Sequence, residues 1–389
     1  MENFSQERVC ACALGHIFGY RPRYATALIE KLGSASAIFR LSKRDLDEIL
    51  GPHSNYKGMI SQEALDASAA ELDRLEKTDC RYIACTEPAY PSLLRECPDG
   101  PAGLYFRSSS SPEEIFAPRP AIAIVGTRDV SPYGRQWTAK IVEACSQAPE
   151  KPLIVSGLAY GVDITAHISA LESGLPTIAV LPCGIDDVYP SSHKQFAARI
   201  SGSPGSALVT DYPPQTSPAA FTFVRRNRII AGLARSTVLI ESKSHGGGLI
   251  TCRLADSYGR EVFALPGRVD DIRSAGCNAL IKTRTAEAVT DLESLGEQLG
   301  LGKYSLKRKN DLMEMISGFY ASRTNTLDLN ALMQTAGLIK DCRGISIEEL
   351  CYRTGRPYNE TARLVSMLEA DGFICMDLTQ RCWVNAKKT

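Results

Sequence analysis

Between Ala121 and about Leu295, short apolar runs alternate with helical segments, and few arrangements satisfy such a pattern. The runs 121–125, 153–156, 177–181, 207–209, 237–241 and 261–264 are each bounded by Pro, Gly or polar residues and have the length of buried strands. Strands alternating with helices imply a parallel sheet with helices on both faces, and ligands bind such sheets beyond the carboxyl ends of the strands. The first run shows what to expect there. AIAIV passes into Gly126, Thr127 and Arg128, and after Pro132 a helical pattern begins with Trp137, Ile141 and Val142 on one side. A strand that breaks at glycine and re-enters as a helix leaves backbone N–H groups and a positive helix end facing one point, which suits an anion. Arg128 adds a planar, permanently charged fork able to grip two phosphate oxygens.

The flanking segments read differently. With 389 residues the chain is long for one core, and we expect a helical domain over 1–78, an extended α/β core over 79–295, a Gly- and Lys-rich linker over 296–320 and a last domain over 321–389. In the helical region, apolar spacing (Val9, Cys12, Ala13, Ile17) is punctuated by Gly15, Gly19, Gly33 and Gly51, which fits either a docking domain or hairpins that approach DNA. Residues 80–118 are expected to join the sheet. Near the end, Ser346 and Glu349 form a capping-box pattern for a helix over 347–354, and a second helix runs from about Asn359 to Ala370. The FICM and CWV segments then make a hairpin, completing a winged-helix pattern. Its second helix carries Glu360, Arg363, Glu369 and Asp371, so a protein partner and DNA both stay open.

Composition narrows the function classes. Lys plus Arg equal Asp plus Glu, 44 against 44, so any positive charge that binds a polyanion must be local. No apolar run approaches the roughly 20 residues of a membrane span, and residues 1–20 lack the pattern of a signal peptide, so a cytoplasmic location is expected. The thirteen cysteines are scattered without C-x-x-C pairs, which predicts reduced, packed thiols and no metal site.

Local positive charge peaks at FTFVRRNRIIAGLAR, residues 221–235. Arg225, Arg226 and Arg228 with Asn227 and Phe223 suit a single-stranded nucleic-acid groove, and equally a helix start whose arginines pair with acids elsewhere. The turn Ser156-Gly157-Leu158-Ala159-Tyr160-Gly161 precedes Asp163 and His167, four apart on one helix face, a pair open to a structural or an acid/base reading. Gly246, Gly247 and Gly248 form another amide-rich nest after a strand, and Lys282 lies on a further loop near the same edge. Cys183 has no evident base partner, His193 and Lys194 are expected to face solvent, and a GxGxxG fingerprint is missing from both early turns. The constellation is built to hold rather than cut: no catalytic residue, cofactor or metal is expected.

In one order, IVGTR at 124–128, SGLAYGVDITAH at 156–167, TIAVLPCGIDDVYP at 177–190, RRNRIIAGL at 225–233, GGGLIT at 246–251, VFALPG at 262–267 and GCNALI at 276–281 resemble the DNA-processing protein A (DprA/Smf) family. The resemblance implies an extended Rossmann-like core that binds single-stranded DNA, usually as a homodimer, and helps load a RecA-type recombinase during natural transformation. It also implies that Arg128 and the RRNR arginines contact DNA, with Gly126 and Thr127 shaping the nest. Three departures stand out: Tyr160 where the family usually has a basic residue, Thr210-Asp211 for Ser-Glu, and Arg284-Thr285-Ala286 for Gly-Ala. The competing reading is a nucleotide sensor or phosphoribohydrolase-type enzyme, but the PGGxGT stretch of such enzymes is missing its proline and acid here.

Overall fold

In a computed structural model, residues 5–302, 312–320, 326–342, 344–377 and 380–385 are described. They fall into two compact units, divided between residues 305 and 306. The first unit is built on a nine-stranded sheet: β1 (Cys80–Ala84), β2 (Gly103–Arg107), β3 (Ala121–Val125), β4 (Leu153–Ser156), β5 (Thr177–Val180), β6 (Ala207–Thr210), β7 (Ser236–Leu239), β8 (Glu261–Ala264) and β9 (Glu287–Ala288). Their order is β1-β2-β6-β5-β4-β3-β7-β8-β9. From β6 to β9 every pairing is parallel, while β2 joins β6 antiparallel and β1 closes a hairpin on it.

Strand geometry explains how β3 supports both layers. Successive side chains point to opposite faces, so Ile122 and Ile124 enter a cluster with Ile141, Val142, Val162 and Ala166. Ala121, Ala123 and Val125 face Ile229, Ile230, Leu249 and Cys252 instead. Each fully buried Ile contributes about 1.5–3 kcal/mol. With both faces apolar, β3 has only its carboxyl end left for function.

The amino-terminal helices lie in the same compact unit as the sheet and share a core with it. Cys10, Leu14 and Phe18 of the Gln6–Phe18 helix share one core with Tyr82, Tyr105, Ala179 and Leu208 of the sheet. Sequence spacing marks an apolar stripe without saying what covers it. The expected linker over 296–320 also carries structure at both ends: a Leu292–Gln298 helix with Leu299 and Leu301 buried, and a Leu312–Tyr320 helix. Glycine and lysine content concealed leucines at positions 295 and 299, one helical turn apart. Residues 303–311 lie outside the described set.

The second unit holds helices Leu312–Tyr320, Thr326–Asp341, Ile347–Thr354 and Tyr358–Ala370, with strands β10 (Ile345–Ser346), β11 (Ile374–Met376) and β12 (Arg381–Val384) in antiparallel order β10-β12-β11. Ser346 Oγ accepts from Glu349 N at 3.2 Å, and Gly355 ends that helix in the left-handed region at φ 69°. Ile316, Leu332, Leu350, Leu364 and Phe373 share its core. Among the described residues no helix is long and apolar enough to cross a membrane.

Candidate nucleic-acid interface

Three loops at the carboxyl ends of β3, β4 and β7 are fastened together by backbone contacts that admit only glycine at key points. A Cβ on Gly126 would lie 2.6 Å from Val162 Cγ2 and 3.0 Å from the Glu241 carbonyl oxygen. Thr127 N–H donates to that carbonyl at 2.8 Å, and the Thr127 carbonyl accepts from Val162 N at 3.2 Å. Gly161, at φ 78°, brings the β4 turn onto the same Thr127 carbonyl, 2.3 Å from where its Cβ would stand. The Gly247–Ser257 helix begins at Gly246 without a side-chain cap. Its first N–H groups therefore lack partners within the helix and carry its positive end.

Glu241, buried at the end of the β7 run, locks the arrangement. Its carboxylate accepts from Ser131 N at 2.9 Å and from the Ser131 hydroxyl, at the start of the Pro132–Ser146 helix. A negative group at a helix start is favourable, and a Cβ on Gly134 would stand 2.5 Å from Glu241 Cδ.

These loops surround a cleft of about 640 Å³. Of the residues expected at the site, Gly126, Thr127, Arg128, Phe223, Arg226, Asn227, Gly246, Gly247 and Gly248 line it. Arg128 is exposed at its mouth, with its guanidinium 5.1 Å from the Phe223 ring centroid. At that distance the cation is within reach of the ring face, and the exposed guanidinium keeps N–H groups available to an anion. Asn227 Nδ2 donates to the Gly247 carbonyl at 3.4 Å, tying helix to nest. Lys243 and His245 also line the cleft and are exposed. The sequence marks their loop as an amide nest by its glycines, and Lys243 and His245, just before Gly246, are the side chains that this reading left without a role.

Ser156, Gly157, Tyr160, Gly161, Arg225, Arg228 and Lys282 do not line the cleft. Ser156 is buried and donates to the Ile124 carbonyl at 2.6 Å. Tyr160 is exposed but turned to the next loop, its hydroxyl 3.0 Å from Ser192 Oγ and its ring 4.9 Å from that of His193. His193, expected to face solvent, is buried with Nδ1 at 2.9 Å from the Leu158 carbonyl. Lys282 is exposed at the end of the Ala275–Lys282 helix.

The arginine cluster divides by direction. Arg228 is enclosed, bonded to the Asp211 carboxylate and the Asp99 carbonyl. Asp211, one of the departures from the family pattern, thus has a structural partner. Arg225 lies 3.9 Å from the same carboxylate and donates to the Gly19 carbonyl. Arg226, only 4% exposed, donates to the Gly157 carbonyl at 2.6 Å and to the Val180 carbonyl, bracing the ends of β4 and β5. A Cβ on Gly157 would fall 2.1 Å from its Nη1. Burial pulls the Arg226 guanidinium down to about 10, still protonated at neutral pH, against the favourable charge of Asp163. Burial raises the Asp163 carboxyl, and Arg226 opposes that rise. The reading in which these arginines pair with internal acids therefore describes Arg228, while Arg226 donates to two backbone carbonyls and Arg128 faces outward at the cleft.

His167 is fully buried. Thr177 Oγ1 donates to the Ile154 carbonyl at 2.9 Å, so it must accept from His167 Nδ1–H at 2.7 Å, which fixes a neutral tautomer with the proton on Nδ1. Burial, then the charges of Arg226 and His193, lowers its pKa from 6.5 to about 3. In that window the unfolded chain binds a proton that the folded chain refuses. Acidification below pH 6.5 should therefore remove stability, by up to about 1.4 kcal/mol per pH unit. The raised Asp163 carboxyl works in the opposite direction. Urea midpoints at several pH values should fall less steeply for His167→Asn than for the parent; equal slopes would show that another group titrates. Cys183 is buried, its thiol pushed up to about 12 mainly by desolvation, which is the behaviour of a packing group rather than a nucleophile.

Comparison with known proteins covers this same region. The profile of the family described as DNA recombination-mediator protein A matches residues 81–300. Protein Smf of Synechocystis sp. is 35% identical over 229 residues, which is 59% of this chain and 56% of that protein, so the match spans little more than half of the relative. The crystal structure of DNA processing protein A from Streptococcus pneumoniae superposes with a TM-score of 0.57 at 31% identity, over 68% of this chain and 88% of that one. A structure of the Helicobacter pylori protein, described for its single-stranded DNA binding mode, gives 0.50 at 26% identity, over 57% of this chain and 97% of that one. With the profile matching more than half of the sequence and the ordered glycine turns meeting at one cleft, this chain belongs to the DNA recombination-mediator protein A family, the DprA/Smf proteins.

Proposed function

We propose that this protein binds single-stranded DNA in the cleft at the carboxyl ends of β3, β4 and β7, and that it acts by holding the strand rather than by chemical turnover. The observation that carries this reading is the Arg128–Phe223 stack beside two glycine-lined turns. A guanidinium fork and uncapped helix amides take phosphate oxygens, while an aromatic ring in reach takes a base. In a duplex the bases are already stacked and paired, so such a site favours an unpaired strand. Arg128, Phe223, Asn227, Lys243 and Gly246–Gly248 are the proposed contacts, with Arg226 as a brace behind them.

The family supports a finer role: delivery of the strand to a RecA-type recombinase by a homodimer in the cytoplasm, in recombination that follows DNA uptake. On this view the carboxy-terminal unit is a winged-helix module that serves partner or DNA contacts of its own. Fluorescence anisotropy of the full-length chain with one labelled oligonucleotide, single-stranded and then annealed to its complement, tests the core of the reading. Tighter binding of the single strand is expected, and equal or tighter binding of the duplex would overturn it. Faster nucleation of the recombinase on single strands in the presence of the protein is the corresponding test of delivery.

A further inference from the structure

The Ala220–Leu233 helix presents two contiguous surfaces. Ala220, Phe223, Val224 and Asn227 recur at helical spacing and line the cleft. Phe221 is turned about 100° further round the helix, away from the cleft, and meets a part of the chain more than two hundred positions earlier: its ring centroid lies 5.9 Å from that of Tyr20. Two large rings are thus open to solvent side by side, Tyr20 at 72% exposure and Phe221 at 50%.

The shelf is held in place. Arg225 stands 5.3 Å from the centroid of the Tyr20 ring and donates to the Gly19 carbonyl, joining the Ala220–Leu233 helix to the end of Gln6–Phe18. The backbone at Gly19 has room only for glycine, since a Cβ would stand 2.6 Å from the Gly15 carbonyl oxygen, and Arg21 N–H donates to the Phe18 carbonyl at 2.6 Å. Beside Tyr20, the side chains of Arg21 and Arg23 are exposed with no carboxylate partner among the described residues.

We propose that this shelf of Tyr20 and Phe221, with Arg21 and Arg23, is a second station for the same strand, so that single-stranded DNA leaving the cleft continues onto the amino-terminal helices. The inference rests on the cleft reading above. Its chemistry is that of unpaired nucleic acid: exposed rings offer stacking to any base, and the exposed guanidinium groups of Arg21 and Arg23, one and three positions after Tyr20, would meet the backbone. Continuity with the cleft, rather than side-chain type, favours the strand over a protein partner: Val224 is exposed on the same helix. Val224 also lines the cleft, so the two stations share an edge.

Oligonucleotide length separates the stations. With labelled oligothymidylates of about four and about twelve nucleotides, the double variant Tyr20→Ala, Phe221→Ala should bind the longer strand about tenfold more weakly than the parent and the shorter one equally well. Tyr20→Trp in the full-length chain should gain a fluorescence signal quenched by the longer strand but not by the shorter. If the double variant matches the parent at both lengths, the shelf is refuted and the cleft stands. Equal losses at both lengths also refute a separate station, and a parent that binds neither length refutes shelf and cleft together.

Discussion

Replacing Arg226 with leucine should lower the free energy of unfolding by about 3–5 kcal/mol, the cost of leaving a buried carboxylate without its counter-charge. Asp163 is 7% exposed, and Arg226 is the largest group opposing the upward shift of its carboxyl. The variant also withdraws the guanidinium from the Gly157 and Val180 carbonyls, loosening the ends of β4 and β5. Denaturant midpoints measure the effect. Adding Asp163→Asn to the leucine variant should recover part of the loss, since the two changes couple through one interaction. Because Arg226 is enclosed, the folded fraction should keep the parental salt dependence of DNA binding. A variant as stable as the parent, with weaker and less salt-dependent binding, would instead place Arg226 on a phosphate.

Arg128→Ala should have the opposite profile: parental stability, and single-stranded DNA affinity reduced about 10- to 100-fold. Its side chain is exposed, so its loss leaves no cavity and no unpaired internal partner. A charge-assisted hydrogen bond is worth about 1.5–3 kcal/mol, and each 1.4 kcal/mol is about tenfold in affinity. Losing one phosphate contact should also reduce the slope of log affinity against log salt by about 0.7. Arg128→Lys should restore that slope while recovering only part of the affinity, because a point charge cannot reproduce the two-pronged grip of a planar fork on a phosphate. Unchanged affinity for Arg128→Ala at two salt concentrations would remove the basis of the proposed site.

Much of the core was legible before any coordinates. The runs at 121–125, 153–156 and 261–264 are β3, β4 and β8 to the residue, because a strand buried on both faces is mostly apolar and stops where turn residues begin. The glycine turns were legible for a related reason. A backbone as close to its neighbours as Gly126 is to Val162, or Gly161 to Thr127, tolerates no Cβ, and that constraint is written in residue identity.

What the sequence by itself determined is therefore the order of the core strands, the parallel sheet and the family. Only the tertiary structure decided which charges face the cleft. In RRNR the spacing specifies angles around a helix, but inside and outside have no meaning until the sheet supplies a partner surface. Asp163, Asp211 and Asp99 come from three remote segments, and their positions turn Arg226 and Arg228 into internal braces. Arg128 makes no ion pair among the described residues and stays exposed at the cleft beside the Phe223 ring. Tyr20 gains its meaning in the same way, since nothing in its own segment announces Phe221 across the fold. Burial and charge pairing are properties of neighbours in space, and here those neighbours are far apart along the chain.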